Sequence, residues 1–99
     1  MKWDFQTVGF HAREELVDFT KGKVEKLTNY FDQIVGAEVY LKLVQDGHNE
    51  TKVAEVKLNI PGNDLFASSQ SEAFEKSISE TTDKLKRQLD KLKTKMATH

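Results

Sequence analysis

Apolar and polar side chains alternate along several short stretches of the chain. Residues 1–10 and 37–44 both show this period of two, which is typical of a β-strand with one buried face. The short segment 65–70 is a further candidate strand. Between residues 37–44 and residues 65–70 lies one more apolar run, which contains Val53, Val56, Leu58 and Ile60. The pattern therefore predicts four strands.

Two longer stretches instead repeat apolar side chains every three or four residues, which is the period of an amphipathic helix. In residues 12–31 the stripe consists of Leu16, Thr20, Val24, Leu27 and Phe31. In the second helix it consists of Phe74, Ile78, Leu85, Leu89, Leu92 and Met96. Ser69 followed by Glu72 has the spacing of a capping box, so we expect the second helix to begin there.

Turn-forming residues separate the predicted strands. Residues 45–49 contain Gly47, which can adopt positive φ, and this predicts a β-hairpin. Pro61 and Gly62 predict a second turn before the last strand. The resulting order, β-α-β-β-β-α, predicts an α+β domain with both helices packed on one face of a four-stranded sheet.

The size and composition of the chain fit a single small domain. Its 99 residues, taken as one domain spanning residues 1–99, leave no room for a second folded unit. The longest uninterrupted apolar runs have three residues, too few for a membrane span or a secretory signal. The absence of cysteine excludes disulfides and thiol chemistry and suits a reducing compartment. We therefore expect a cytoplasmic protein.

Charge is unevenly distributed along the chain. Residues 84–99 hold six cations and one carboxylate, a net charge of +5, whereas the other residues hold nine cations and fifteen carboxylates, a net charge of −6. At 100° per residue, one arc beside the apolar stripe of the second helix carries Lys84, Arg87, Lys91 and Lys95. Lys23 and Lys26 flank the stripe of the first helix, on the same side as Tyr30. Two basic flanks that converge on one groove would bind a phosphate backbone.

A second interpretation of these cations is equally compatible with the pattern. Lysine and arginine near a helix C-terminus complement the helix dipole and keep the surface soluble, without binding any partner. The aromatic residues Phe19 and Tyr30 are more typical of packing than of base stacking.

Patterns typical of catalysis or metal binding are absent from the sequence. The three histidines, His11, His48 and His99, are isolated and have no metal-ligand spacing. The serines around residue 70 lack the context of a nucleophile elbow, and the glycines form no phosphate loop. We therefore predict a protein that is not an enzyme and that has no metal site, no cofactor and no small-molecule substrate.

Several segments, in their order and spacing, resemble a known family along nearly the whole chain. They are residues 23–27 with Tyr30-Phe31-Asp32, residues 37–42, Ile60-Pro61-Gly62 and above all residues 83–89. The chain is similar to the short ribosome hibernation promoting factors, also called ribosome-associated inhibitor or sigma-54 modulation proteins. The resemblance implies a fold similar to double-stranded RNA-binding domains.

The resemblance also implies a function. Proteins of this type bind the small ribosomal subunit and its rRNA, occlude the channel for mRNA and tRNA, and stop translation under stress or in stationary phase. It implies rRNA contacts by Lys23, Lys26, Lys84, Arg87 and Lys91, with Lys86 and Lys95 as further candidates, and no dedicated dimerisation domain.

Two alternatives remain open at this point. The older family name fits a protein-interaction module that uses the sheet face or edge to modulate a transcription or signalling partner. A general RNA chaperone would bind any duplex with equal affinity.

Overall fold

The computed structural model describes residues 1–97, with side chains to residue 95. Its elements are β1 (Lys2–Val8), α1 (Glu14–Tyr30), β2 (Gly36–Asp46), β3 (Asn49–Asn59), β4 (Leu65–Ser71) and α2 (Phe74–Ala97). The predicted order of elements and the α+β class are confirmed. Within residues 1–97, no helix combines the length and apolarity needed to cross a membrane.

The four strands form one mixed sheet in the order β1-β2-β3-β4. Strand β1 runs parallel to β2, and α1 makes the crossover between them, whereas the other two pairs are antiparallel. Strands β2 and β3 form the predicted hairpin, whose turn contains Gly47 at a φ of +65°. Gly62, in the second predicted turn, has a φ of +78°.

The core lies between one face of the sheet and the two helices. Alternate residues in one half of each central strand are fully buried: Ala37, Val39 and Leu41 in β2, and Ala54, Val56 and Leu58 in β3. The helices cover these residues with the predicted stripes, which include buried Thr20, Val24, Leu27, Ile78, Leu85 and Leu89. The side chain of Met96, also assigned to the stripe, lies outside the described residues.

The capping box predicted at Ser69 is wrong. Ser69 lies within β4, its side chain is buried, and α2 begins only at Phe74. The ladder between β3 and β4 continues to the pair formed by Lys52 and Ser71, so strand pairing extends past the predicted cap. Ser71 makes the local contacts instead, because its Oγ accepts a hydrogen bond from the Ala73 amide at 3.3 Å.

The predicted bounds of α1 were also too wide. The helix begins at Glu14 instead of residue 12 and ends at Tyr30 instead of residue 31. Phe31 still belongs to the core at 5% exposure, although its backbone is extended with φ −139° and ψ 107°. The side chain thus follows the helical stripe into the core after the helix itself has ended.

Candidate nucleic-acid interface

A groove between α1 and α2 brings together cations from both helices. Helix α1 contributes Lys23 and Lys26, and α2 contributes Lys86. The floor includes Leu27, which is buried, and the walls include Tyr30, Thr82 and Asp83. We call this surface, defined by Lys23, Lys26, Tyr30 and Lys86, the basic groove.

Tyr30 is the best-connected side chain of the basic groove. The Lys93 ammonium lies 3.9 Å from the centre of its ring, and the Lys86 ammonium lies 5.2 Å from it. Its hydroxyl donates a hydrogen bond to a carboxylate oxygen of Asp90. Lys93 Nζ also donates to the Tyr30 carbonyl oxygen at 3.1 Å, so one lysine fastens the end of α1 to α2.

The contact with Asp90 also changes the acidity of the phenol. The carboxylate accepts the Tyr30 hydroxyl proton in a hydrogen bond, and this bond is the main reason why the pKa of Tyr30 lies above its ordinary value. Desolvation and the negative charge of Asp90 act in the same direction. Tyr30 is therefore a neutral hydrogen-bond donor at physiological pH.

The second aromatic residue noted in the sequence, Phe19, also carries a lysine. The ammonium of Lys23 lies 5.7 Å from the centre of its ring, and the ring itself is half-buried. Both rings thus support lysines of the groove, an arrangement that fits packing better than base stacking.

The opposite flank of α2 faces the edge of the sheet. Lys84 Nζ donates to the Ser68 carbonyl oxygen at 2.7 Å, and Gln88 Nε2 donates to the Phe66 carbonyl oxygen at 2.9 Å. Strand β4 is an edge strand, and carbonyls two residues apart along it point to the same side. We call this surface, defined by Lys84, Gln88 and Lys91, the edge flank.

The structure thus separates the predicted site residues into two groups. It places Lys23, Lys26 and Lys86 together in the basic groove. Lys84 lies on the other flank, because residues 84 and 86 are about 200° apart around a helix. By helical spacing Lys91 and Lys95 lie on the same flank as Lys84. Arg87 lies about 60° from Lys84 around the helix, toward the side that faces away from the core. The expectation that the flank carrying Lys84 would face the same groove as Lys23 and Lys26 is therefore wrong.

Lys93 was not among the predicted site residues, although its spacing from Lys86 places it on the groove side of α2. It follows Lys86 by seven residues, or two helical turns, and therefore lies on the same flank.

Within the described residues, no cluster of His, Asp and Glu side chains is suited to hold a metal ion, and His99 lies outside them.

The arrangement defines a small α+β domain with a cationic groove between its helices. A similar fold occurs in a ribosomal subunit interface protein from Coxiella burnetii, with a TM-score of 0.83 and 20% identity over 95% of this chain and 99% of that one. At this identity the likeness shows the fold.

Sequence comparison gives the family. Residues 4–97 match the family described as sigma 54 modulation protein / S30EA ribosomal protein, and the chain belongs to it. The ribosome hibernation promoting factor of Klebsiella oxytoca is 33% identical over 82 residues, which are 83% of this chain and 82% of the relative. That of Escherichia coli K12 is 34% identical over 86 residues, 87% and 86% of the two chains. The resemblance seen in the sequence is confirmed.

Proposed function

We propose that this protein is a ribosome hibernation factor that binds the small ribosomal subunit and blocks its mRNA and tRNA channel under stress or in stationary phase. The observation that carries the proposal is the basic groove, in which two helices present Lys23, Lys26 and Lys86 side by side. Family membership supports it, since the relatives described above are named as hibernation promoting factors. Under this proposal the protein acts in the cytoplasm, where ribosomes are.

Electrostatic attraction to rRNA supplies the affinity in this mechanism. Each lysine or arginine that neutralises a phosphate releases a counterion, so binding weakens steeply as salt increases. Besides the groove, the other face of α2 offers Lys84, Arg87, Lys91 and Lys95 as phosphate contacts. Lys84 must exchange its bond with the Ser68 carbonyl for a phosphate, so we expect it to contribute less than a groove lysine.

Inhibition then needs no chemical step. The domain is an elongated body of 53 × 22 × 19 Å, in which the two helices and the sheet share one core. A body of this kind, held on rRNA by its helical side, excludes mRNA and tRNA from the space that it occupies. We accordingly propose binding without catalysis and without a cofactor.

Co-sedimentation with small subunits at two salt concentrations tests the proposal. One variant removes the groove lysines, Lys23, Lys26 and Lys86, and another removes Lys84, Arg87 and Lys91. A third has the same loss of charge at Lys2, Lys21 and Lys57, which lie outside both surfaces. All replacements are alanine, so the three variants carry equal net charge.

We expect the wild type and the third variant to pellet with small subunits in a salt-sensitive manner. Each lost phosphate contact should flatten the slope of log K against log salt by about 0.7 to 0.9, so the groove variant, which lacks three lysines, should lose about 2 to 3 units of slope. The variant lacking Lys84, Arg87 and Lys91 should lose less. Equal binding by the groove variant and the charge-matched control would contradict the proposal.

The outer face of the sheet supports a second candidate, a protein-interaction module. This face carries Phe66 at 55% exposure, Val8 at 52% and Val44 at 46%. A transcription or signalling partner bound there would remain associated after RNase digestion and removal of ribosomes. A general RNA chaperone, by contrast, would bind naked duplex RNA as tightly as small subunits.

A further inference from the structure

The four side chains of Tyr30, Lys86, Asp90 and Lys93 form a cluster at the basic groove, which we call the Tyr30 cluster. It places a carboxylate between Lys86, which is proposed to bind RNA, and Lys93 on the same flank. Asp90 follows Lys86 by four residues and precedes Lys93 by three. Both spacings bring side chains together on a helix surface and favour ion pairs.

Direct ion pairs would lower the value of these lysines for RNA binding. A lysine paired with a carboxylate has its charge compensated and part of its N–H groups occupied. A lysine over an aromatic ring keeps its full charge, because the ring is neutral and attracts the cation only through its quadrupole. The partner of each ammonium group therefore decides whether it remains available to a phosphate.

Among the described contacts neither lysine pairs with a carboxylate, although Lys93 Nζ also donates to the Tyr30 carbonyl oxygen, which occupies one of its three N–H groups and leaves its charge uncompensated. The Tyr30 hydroxyl engages the Asp90 carboxylate, while both ammonium groups lie at the Tyr30 ring, at 3.9 Å for Lys93 and 5.2 Å for Lys86. The ring comes from α1 and the three charged residues come from α2, so the cluster depends on the packing of the two helices. With Tyr30 at 36% exposure, the cluster is accessible from solvent.

We propose that Tyr30 is a positioning residue for phosphate binding: its hydroxyl holds Asp90, and its ring holds Lys86 and Lys93 where an RNA phosphodiester can reach them. This inference rests on the proposed function, because it names how the same groove is prepared for RNA. It assigns a role to a neutral side chain that makes no ionic contact itself.

Two conservative substitutions separate the parts of the cluster. Tyr30→Phe keeps the ring and removes the hydroxyl, so Asp90 is released to pair with the lysines. Asp90→Asn removes the charge and keeps an oxygen that accepts the hydroxyl. Tyr40→Phe is the matched control, because Tyr40 is the only other tyrosine and lies on the opposite face of the sheet.

We expect Tyr30→Phe to weaken binding to small subunits about fivefold at low salt, as for the loss of part of one phosphate contact. The double variant with Asp90→Asn should recover wild-type affinity or exceed it, and Tyr40→Phe should bind as the wild type. A gain from Asp90→Asn that is larger in the Tyr30→Phe background than in the wild type attributes the loss to the released carboxylate and not to a folding defect. Wild-type binding by Tyr30→Phe, or failure of the double variant to recover, would overturn the inference.

Elution from heparin distinguishes failure of the inference about Tyr30 from failure of the proposed function. Heparin is a polyanion that tests the groove without a ribosome. If the wild type does not pellet with subunits but Tyr30→Phe elutes from heparin at lower salt and the double variant recovers, the proposed function fails and the role of Tyr30 stands. If the wild type pellets while all variants elute together and pellet equally, only the role of Tyr30 fails.

Discussion

The two flanks of α2 carry lysines at similar density, yet their neighbours give those lysines different roles. On the groove side, Lys86 and Lys93 lie against the ring of Tyr30. On the edge flank, Lys84 and Gln88 donate hydrogen bonds to carbonyl oxygens of β4. The groove flank thus holds its two cations at a neutral ring, with Lys93 also bonded to the Tyr30 carbonyl oxygen, whereas the edge flank uses polar side chains to cover an exposed strand edge.

The difference shows that the charge of a helix face does not by itself define a binding site. A ring leaves the N–H groups of an ammonium free for another partner, while a carbonyl oxygen occupies one of them. An uncovered strand edge is also a template for pairing with another chain. Lys93 also donates to a carbonyl oxygen, so the contrast with Lys84 applies to Lys86. It supports the proposal that RNA binding belongs mainly to the basic groove and protection of the sheet mainly to the edge flank.

Replacing Leu85 by alanine should weaken the packing of α2 and thereby destabilise both of its flanks. Leu85 is fully buried between them and belongs to the stripe that holds α2 on the sheet. We expect a loss of about 2 to 5 kcal/mol in the free energy of unfolding, measured with urea. The half-buried Leu92, replaced in the same way, should cost less. Equal losses at the two positions would show that Leu85 anchors α2 no more strongly than Leu92 does.

Exposing the β4 edge should have the next largest effect. The double variant Lys84→Met, Gln88→Leu keeps the side-chain bulk and removes both donors to β4. We expect about 1 kcal/mol of destabilisation and self-association that increases with concentration, seen by sedimentation velocity. Lys91→Met, which removes one charge from the same flank but no described bond to β4, should associate no more than the wild type. Association of Lys91→Met to the same extent would attribute the effect to charge and not to the strand edge.

The sequence was sufficient to predict the order of elements and most of the core. Periodicity is a local property, so the stripe of the first helix as far as Phe31 and that of the second helix as far as Leu92 could be predicted directly. The same holds for Gly47 and Gly62, because positive φ in a turn depends mainly on the residue itself. Predicting these features requires no knowledge of which elements pack together.

The features that the sequence did not predict depend on distant neighbours. Ser69 has the right spacing for a cap, but pairing of β4 with β3 determines where the strand ends. A helical wheel separates Lys84 from Lys86 by angle, yet it does not say which flank meets α1. The bond between Tyr30 and Asp90 joins residues 60 positions apart, and nothing local signals it.

The smallest expected effect is a difference between the flanks at alkaline pH. Below its ordinary pKa of 10.0, Tyr30 is protonated in the folded and unfolded states, and the bond to Asp90 stabilises the fold. Above that value the unfolded state loses the proton first, because the bond raises the pKa in the folded state, so stability falls as pH rises through the raised pKa. Urea titrations between pH 8 and about 11 should show this fall in the wild type and a shallower one in Asp90→Asn. Lys84→Met should follow the wild type, since the edge flank has no such phenol. Identical pH profiles for the wild type and Asp90→Asn would mean that the Tyr30 hydroxyl does not hold Asp90 in solution, and the basic groove would then lose its distinction from the edge flank.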